Sequence, residues 1–242
     1  GRIATIGTTV SELDTIPEQS ASISQGTLTV NEYGVATPYT GKLEALSQFP
    51  VENVAITTLR LNMAMSIDKL IADEFKKAKL TGVATAGDAL VIRTDGTFAN
   101  AATENVGVFH LKEGVDRLKT PTNCPPYDGS DYICIASTKA LRGLKDDGEY
   151  KTAAQYGDPS LLFDGEIGRL YGTRFIETTH TNALSNGVGT ANICGEMVMF
   201  GSDPVIEAVT IAPEIRVDIP KDFGRSKRVA WYSMMGWSIV WD

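Results

Sequence analysis

The most regular hydrophobic pattern in the chain runs from Pro50 to Leu80. Ala55, Ile56, Leu59, Met63, Ile67, Leu70, Ile71, Phe75 and Ala78 recur at helical spacing and form one stripe. Pro50 suits the first turn, where a backbone N–H would have no partner anyway. Glu52 stands near the positive end of this helix and Lys76, Lys77 and Lys79 near its negative end, with Gly82 placed to close it. At 1.5 Å per residue the helix would be about 40–45 Å long, well beyond the usual ~11–12 residues. One modest stripe on so long a helix suits a backbone to which other elements attach. A coiled coil is the alternative, but the a/d repeat is imperfect, and Asn62, Ser66 and Asp68 interrupt it without e/g pairing.

Before Pro50 the chain is rich in Thr, Ser, Gln and Gly. Leu28 and Val30 alternate with Thr27, Thr29 and Asn31, and a second extended run follows over Val35–Leu43. These predict a long hairpin across Gly26–Gln48 that has little to bury on its own and finds its partner surface elsewhere; a floppy tail is the alternative. After the helix, Ala89–Arg93 reads as a strand before the turn pair Asp95-Gly96, and Val108–Lys119 as a helix with Leu111, Val115 and Leu118 on one face. Pro121, Pro125 and Pro126 mark a boundary. Tyr132–Ala136 is a continuous apolar run, as in a buried strand, and Ser137-Thr138 can cap a helix over Lys139–Lys145. Ala153–Tyr156 predicts a short helical piece, Asp164-Gly165 a turn, and Glu166–Thr178 strands broken by Gly168 and Gly172. The polar stretch His180–Thr190, with its Asn186-Gly187 pair, predicts a mobile loop, and Glu196–Phe200 a strand. Val205–Ile211 predicts one strand and the alternation of Ile215, Val217 and Ile219 another. Val229–Trp241, with all three tryptophans, predicts a core strand.

Composition sets bounds. The 242 residues (26.0 kDa) are 43% hydrophobic and 21% charged, ordinary for a folded protein and unlike a disordered acidic tail. One compact body of this size would bury roughly 70–75% of its unfolded surface. No run of ~18 apolar residues is present to form a membrane-spanning helix. With 22 Lys+Arg against 30 Asp+Glu the formal net charge is -8, which disfavours nonspecific nucleic-acid binding through a basic surface. The chain begins at Gly1 rather than Met and shows no signal peptide, which reads as a truncated, processed or partial chain.

Candidate chemistry is sparse. Cys124, Cys134 and Cys194 are odd in number and lack CxxC spacing, which argues against a disulfide framework and a structural zinc site. Cys134, inside an apolar run, reads as a small hydrophobe. No GxSxG occurs, and the two histidines, His110 and His180, read as surface or hydrogen-bonded structural residues rather than bases. Gly187-Val188-Gly189 resembles the start of a dinucleotide loop, but Asn192 stands where the third glycine belongs, and a flexible loop is the better account. Asp146-Asp147 and Glu149 lack calcium-loop spacing and read as solvated helix-end charges. Lys221, Arg225, Lys227 and Arg228 are the one basic concentration. Without interleaved aromatics they read as a turn before the last strand, or as ion pairs with a neighbouring subunit, rather than as phosphate contacts. No residue is assigned as catalytic, cofactor-binding or metal-ligating, and no cofactor is expected.

Specific segments carry more. In Leu162–Thr179, LFDGEIGRLYGTRFIETT, an acid-Gly pair precedes Glu-Ile-Gly-Arg, then an aromatic-Gly pair, a basic residue, an apolar pair and Glu-Thr. This run resembles a signature of tailed-phage major capsid proteins. Upstream, SDYICIASTKALRGLKDDGEYKTAAQYG is similar to the strand–helix block that precedes that signature in the family. LTVNEYGVATPYTGKLEALSQ is similar to its extended-loop segment, and DFGRSKRVAWYSMMGWSIV to its closing strand. The blocks stand in the family's order and cover most of the chain. The branch they resemble is the one typified by the coat protein of coliphage N-four.

The resemblance implies an α+β chain with the Hong Kong 97 capsid fold: extended loop, long spine helix, peripheral domain and axial domain. Residues 1–49 would be the N-terminal segment and extended loop, with an N-terminus shorter than the family's, and 50–82 the spine helix. Residues 83–126 and 203–242 would be the two parts of the peripheral domain. Residues 127–202 would be the axial domain, with His180–Thr190 near a capsomer axis. The implied function is that of a non-enzymatic major capsid protein of the virion, assembled in the host cytoplasm. Its implied partners are its own copies in hexamers and pentamers, with cement or decoration, scaffolding and portal proteins, and packaged double-stranded DNA enclosed without sequence-specific binding. The hairpin would lie over a neighbouring subunit, and an acidic lining would hold DNA without gripping it. An encapsulin-like nanocompartment shell enclosing a cargo enzyme is the alternative on the same fold. A small α/β hydrolase using His110 or His180 is the alternative outside it.

Overall fold

A strand as apolar as the last one in this chain needs neighbours on both edges and a cover on at least one face. The computed structural model supplies them; it describes residues 26–78, 80–85, 89–93, 102–120, 122–150, 168–218, 222–223 and 225–240. The expected turns at Asp95-Gly96 and Asp164-Gly165, the helical piece at Ala153–Tyr156, residues 162–167 of the signature run, and Lys79, Ile219, Lys221 and Trp241 lie outside the described residues. In chain order the elements are β1 (Asn31–Thr40), α1 (Gly41–Leu46), α2 (Val51–Phe75), β2 (Thr81–Thr85), β3 (Ala89–Arg93), α3 (Val108–Lys119), β4 (Tyr132–Ser137), α4 (Thr138–Asp146), β5 (Arg169–Leu170), β6 (Thr173–Thr178), a 3-10 turn at Thr190–Asn192, β7 (Met197–Phe200), β8 (Val205–Val217) and β9 (Ser226–Ile239). The strands form a three-stranded sheet β1-β9-β8, a hairpin β2-β3, and a four-stranded sheet β5-β6-β4-β7.

β9 is the centre of the first sheet, antiparallel to both neighbours. Alternate residues Val229, Trp231, Ser233, Met235 and Trp237 are buried, so one face of the strand is covered. The cover is α2. Val51 and Leu59 share a core with Tyr39, Val229 and Trp231, and the Trp231 indole N–H donates to Asn62 Oδ1 at 2.9 Å. Asn62 is thus no mere break in the apolar stripe but the polar partner that a buried indole needs.

The hairpin expected over Gly26–Gln48 does not form. A single strand, β1, pairs with β9 of its own chain from Asn31↔Met235 to Thr40↔Ser226, because there Tyr33 and Tyr39 can join the core beneath α2. A Cβ at Gly34 would lie 2.7 Å from the Trp231 carbonyl oxygen, so this approach requires glycine. Thr40 then ends the strand: its Oγ1 accepts from the Leu43 N–H at 3.2 Å and starts α1. α2 stops at Phe75 and not at Leu80, giving 25 residues and a length of about 38 Å. Gly82, expected to close it, lies in β2 opposite Ile92. The two strands expected between Val205 and Ile219 are one strand, β8, with register shifts between Val209 and Glu214, a stretch that holds Pro213, which has no N–H to give to a ladder.

The second core surrounds β4, which runs parallel to β6 and antiparallel to β7. Cys134 and Ala136 meet Val108 and Leu111 of α3 and Ala140, Leu141 and Leu144 of α4. α3, expected among residues 83–126 with the C-terminal strands, packs in the same core as β4, because its buried residues Val108 and Leu111 fit the helix-covered face of that sheet. Both helices are capped from a distance. The Val108 N–H donates to Asp147 Oδ2 at 2.9 Å, and the Lys139 N–H to Asn186 Oδ1 at 3.1 Å. Ser137, the expected cap of α4, makes no side-chain cap bond; its hydroxyl packs against Gly195, where any Cβ would collide with it. α2 reaches this core with its last turn: Phe75 stacks on Phe200 with ring centroids 5.2 Å apart, and Lys76 Nζ lies 3.0 Å from Glu196.

Leu59 and Leu61 stand two residues apart on α2, yet one is 2% and the other 63% exposed. Leu59→Ala is expected to cost roughly 2–5 kcal/mol in urea unfolding. Leu61→Ala is expected to stay within about 0.5 kcal/mol. Equal effects would mean that α2 does not lie on β9 as described.

Candidate functional site

The described part of the signature run folds into a two-residue turn. Arg169 pairs with Arg174 and Leu170 with Thr173, leaving Tyr171 and Gly172 to reverse the chain. Both have positive φ, 48° and 71°, the combination that matches the right-handed twist of the flanking strands. Glycine adopts it freely. Tyr171 does not, and its side chain is engaged on both sides. Its hydroxyl donates to Glu149, while Lys112 Nζ lies 2.6 Å from Glu149 Oε1 and 4.5 Å from the centre of the Tyr171 ring. Hydrogen bonds from Lys112 and then Tyr171 lower the Glu149 carboxyl, and the same carboxylate raises the Lys112 ammonium.

At the root of the turn both arginines converge on Asp131, the residue before β4. Arg169 Nη2 lies 2.6 Å from Oδ1, Arg174 Nε 3.2 Å from Oδ2, and the Ser130 hydroxyl 3.2 Å from Oδ1. Arg174 Nη1 also reaches Asp128 at 3.0 Å. Asp131 is 2% exposed. Burial by itself would raise its carboxyl, but the guanidiniums and the hydroxyl outweigh it, and the group titrates below the ordinary value. No motif marks Asp131. Its signal in the sequence is an acid directly before a continuous apolar run, where a bare carboxylate would be costly.

His110 is buried, and its Nδ1 accepts from the Gly107 N–H at 3.0 Å in the first turn of α3. The His180 carbonyl accepts from Ala183 and Leu184 at 3.0 and 3.2 Å. The mobile loop expected over His180–Thr190 is instead tied down. Ala183 and Leu184 are buried, the Ser185 N–H donates to Glu196 Oε2 at 2.7 Å, Asn186 caps α4, and Val188 and Cys194 exchange backbone bonds of 3.1 Å. Gly189, with φ 74°, approaches Ala102 so closely that a Cβ would collide with its carbonyl, which fits a packed turn and not a dinucleotide cradle.

The acids expected as solvated helix ends are partnered: Asp147 caps α3, Glu149 holds Lys112 and Tyr171, and Asp146 lies 3.7 Å from Arg142. The basic cluster pairs within its own chain, Lys227 with Glu44 at 2.6 Å and Arg225 with Asp222 at 3.7 Å. Arg228 lines an open trough of about 370 Å³ with Ala36, Arg216, Val217, Asp218 and Ala230. All three cysteines are free; burial pushes the Cys134 thiol up to about 12 and raises Cys194 as well. Among the described residues no group of His, Cys, Asp and Glu could hold a metal ion, and no helix is long and apolar enough to cross a membrane.

What the structure exposes is apolar surface. α2 carries a second stripe, Val54, Leu61 and Met65, turned away from β9 and open to solvent, and Leu43, Leu46 and Phe49 extend it at the α1–α2 corner. The spacing of Val54, Thr58, Leu61 and Met65 holds this stripe in the sequence, beside the stronger one.

Because the Asp131 carboxyl is lowered in the folded state, its contribution is complete above the ordinary carboxylate value of ~3.9 and is lost as pH falls through the lower folded value. Asp131→Asn is therefore expected to weaken thermal stability at pH 6 and to flatten its fall between pH 4 and the acid limit. An unchanged acid profile would show that the clasp does not contribute.

No protein-family model matches the sequence, and no curated protein matches it. Solved structures do. One from Mycobacterium phage Che8 is 18% identical, with 87% of this chain and 67% of that chain covered and a TM-score of 0.60. The head structure of Helicobacter pylori bacteriophage KHP40 is 14% identical, with coverage of 88% and 68% and a TM-score of 0.63. The capsid asymmetric unit of cyanophage Pam1 is 18% identical, with coverage of 95% and 78% and a TM-score of 0.58. What this chain shares with these phage head and capsid structures is the fold, a mixed α+β capsid-protein fold.

Proposed function

We propose that this chain is the major capsid protein of a tailed bacteriophage and assembles with its own copies into an icosahedral shell around double-stranded DNA. The observation that carries the reading is the apolar stripe of Val54, Leu61 and Met65 that this fold leaves open along α2. Contacts repeated by symmetry can cover such surface in every copy at once.

In the Hong Kong 97 arrangement α2 would be the spine helix, and the core of β1, α2, β8 and β9 would be the peripheral domain. The core around β4 would be the axial domain, and it would take in α3 and so begin before residue 127. The segment His180–Thr190 would lie near a capsomer axis as a packed turn. The four sequence blocks resemble those of the branch typified by the coat protein of coliphage N-four, to which the chain would belong. Cement, scaffolding and portal proteins would be its further partners. The net charge of -8 suits a container that holds DNA without binding it tightly.

Light scattering and negative-stain microscopy of the purified full chain test this. Closed shells, hexamers or pentamers are the expected result, and a stable monomer at every salt and protein concentration would overturn it. Particles that enclose an enzyme instead of DNA would move the chain to the nanocompartment class. Leu61→Glu, on the exposed stripe, is expected to leave urea unfolding within about 0.5 kcal/mol of the parent chain and to abolish particles.

A further inference from the structure

Asn186-Gly187 is the one Asn-Gly pair in the chain. An asparagine before glycine is the least hindered setting for attack on its side chain by the following backbone nitrogen, because the next residue has no β-carbon to obstruct the approach. In that reaction the Gly187 nitrogen gives up its proton and bonds to Cγ of Asn186. The C–N bond of the side-chain amide breaks, its nitrogen takes up a proton and leaves as ammonia, and a five-membered succinimide remains. Water then opens the ring at one of its two carbonyls. The products are aspartate, or isoaspartate, in which the backbone runs through the former side chain.

The structure holds both reacting groups. The Asn186 amide is engaged at the start of α4, where its Oδ1 accepts the Lys139 N–H at 3.1 Å. The Gly187 N–H, whose proton the attack must remove, donates to Ser185 Oγ at 3.0 Å. Ser185 is itself fixed: its N–H donates to Glu196 Oε2 at 2.7 Å, and that carboxylate also pairs with Lys76 at 3.0 Å. One residue further on, Val188 and Cys194 exchange backbone bonds of 3.1 Å. Gly187 is exposed, so access of water does not limit the reaction.

We propose that Asn186 is a spontaneous deamidation site, kept latent by the native packing of this segment and converted when the segment opens. The proposal goes beyond the capsid reading and does not depend on it. The two products differ in consequence. Aspartate keeps the side-chain length, and its carboxylate can accept the Lys139 N–H at the positive end of α4. Isoaspartate adds an atom to the backbone before Gly187 and leaves its carboxylate directly on Cα, so the cap is no longer made in the same place. The segment thereby records its own opening as a permanent chemical change.

The test incubates the full chain at mildly alkaline pH, folded and in urea, and follows residue 186 by peptide mass spectrometry, which reads the exchange of amide for acid. In urea, conversion at Asn186 is expected to outpace that at every other asparagine. In the folded chain it is expected to be at least ~tenfold slower, since it then waits on local opening. Ser185→Ala, checked for folding by circular dichroism, is expected to speed the folded-state reaction about fivefold, the factor that loss of one hydrogen bond gives. Gly187→Ala is expected to slow the reaction in urea. Equal rates in the folded and unfolded chain would overturn the proposal, as would no excess at Asn186 in urea. A folded Ser185→Ala chain with an unchanged rate would overturn it too, because Ser185 would then not hold the site. If Ser185→Ala does not fold, the comparison of the parent chain with and without urea still decides.

Discussion

The position of α2 across β9 is the constraint from which the rest of the architecture follows. Its first half is fixed by Leu59 on Trp231 and by the Asn62–Trp231 hydrogen bond, its last turn by Phe75 on Phe200 and Lys76 on Glu196. One straight helix thus touches two cores that share little else, and it sets their spacing. A rod of about 38 Å between two small cores cannot bury its whole circumference. The stripe of Val54, Leu61 and Met65 is left bare for that geometric reason, so an incomplete surface is built into the fold.

The core around β4 answers a different problem. α3 and α4 have 12 and 9 residues, short enough to be marginal alone. Their N-termini are satisfied by Asp147 and Asn186, which come from loops distant in sequence. Glu196 accepts from the Ser185 N–H while pairing with Lys76, and Asp131 gathers Arg169 and Arg174. Polar loops that look free in the sequence are thereby the ties of this core. The signature turn gains its physical meaning here. Its arginines stand opposite each other at the root of a two-residue reversal, where both can reach one carboxylate.

What the sequence made legible was local. The periodicity of Val108–Lys119 and Ala89–Arg93 returned those elements with their observed bounds, and the apolar run at Tyr132 gave β4. What it did not show were choices between distant partners. The alternation around Val35 says strand but cannot say that the partner is β9 and not a second strand of a hairpin. Pro213 is visible, yet whether it ends a strand or bulges one depends on the β9 ladder beside it. Glycine-rich polarity at His180–Thr190 suggested mobility, because the acceptors that tie it down lie elsewhere in the chain. The stripe read on α2 from Ala55 to Ala78 is the one that meets β9 at Leu59, while the second stripe of Val54, Leu61 and Met65 beside it went unread.

Charge completes the picture. With 30 acids against 22 bases the chain's surplus charge is negative. In the proposed shell, copies would therefore approach one another with like net charge, screened over about 8–10 Å at physiological salt. Attraction between them would then come from apolar surface such as the α2 stripe, working against that repulsion. Individually weak, reversible contacts that become strong only when many close together would let such a shell release a misplaced subunit before it is complete.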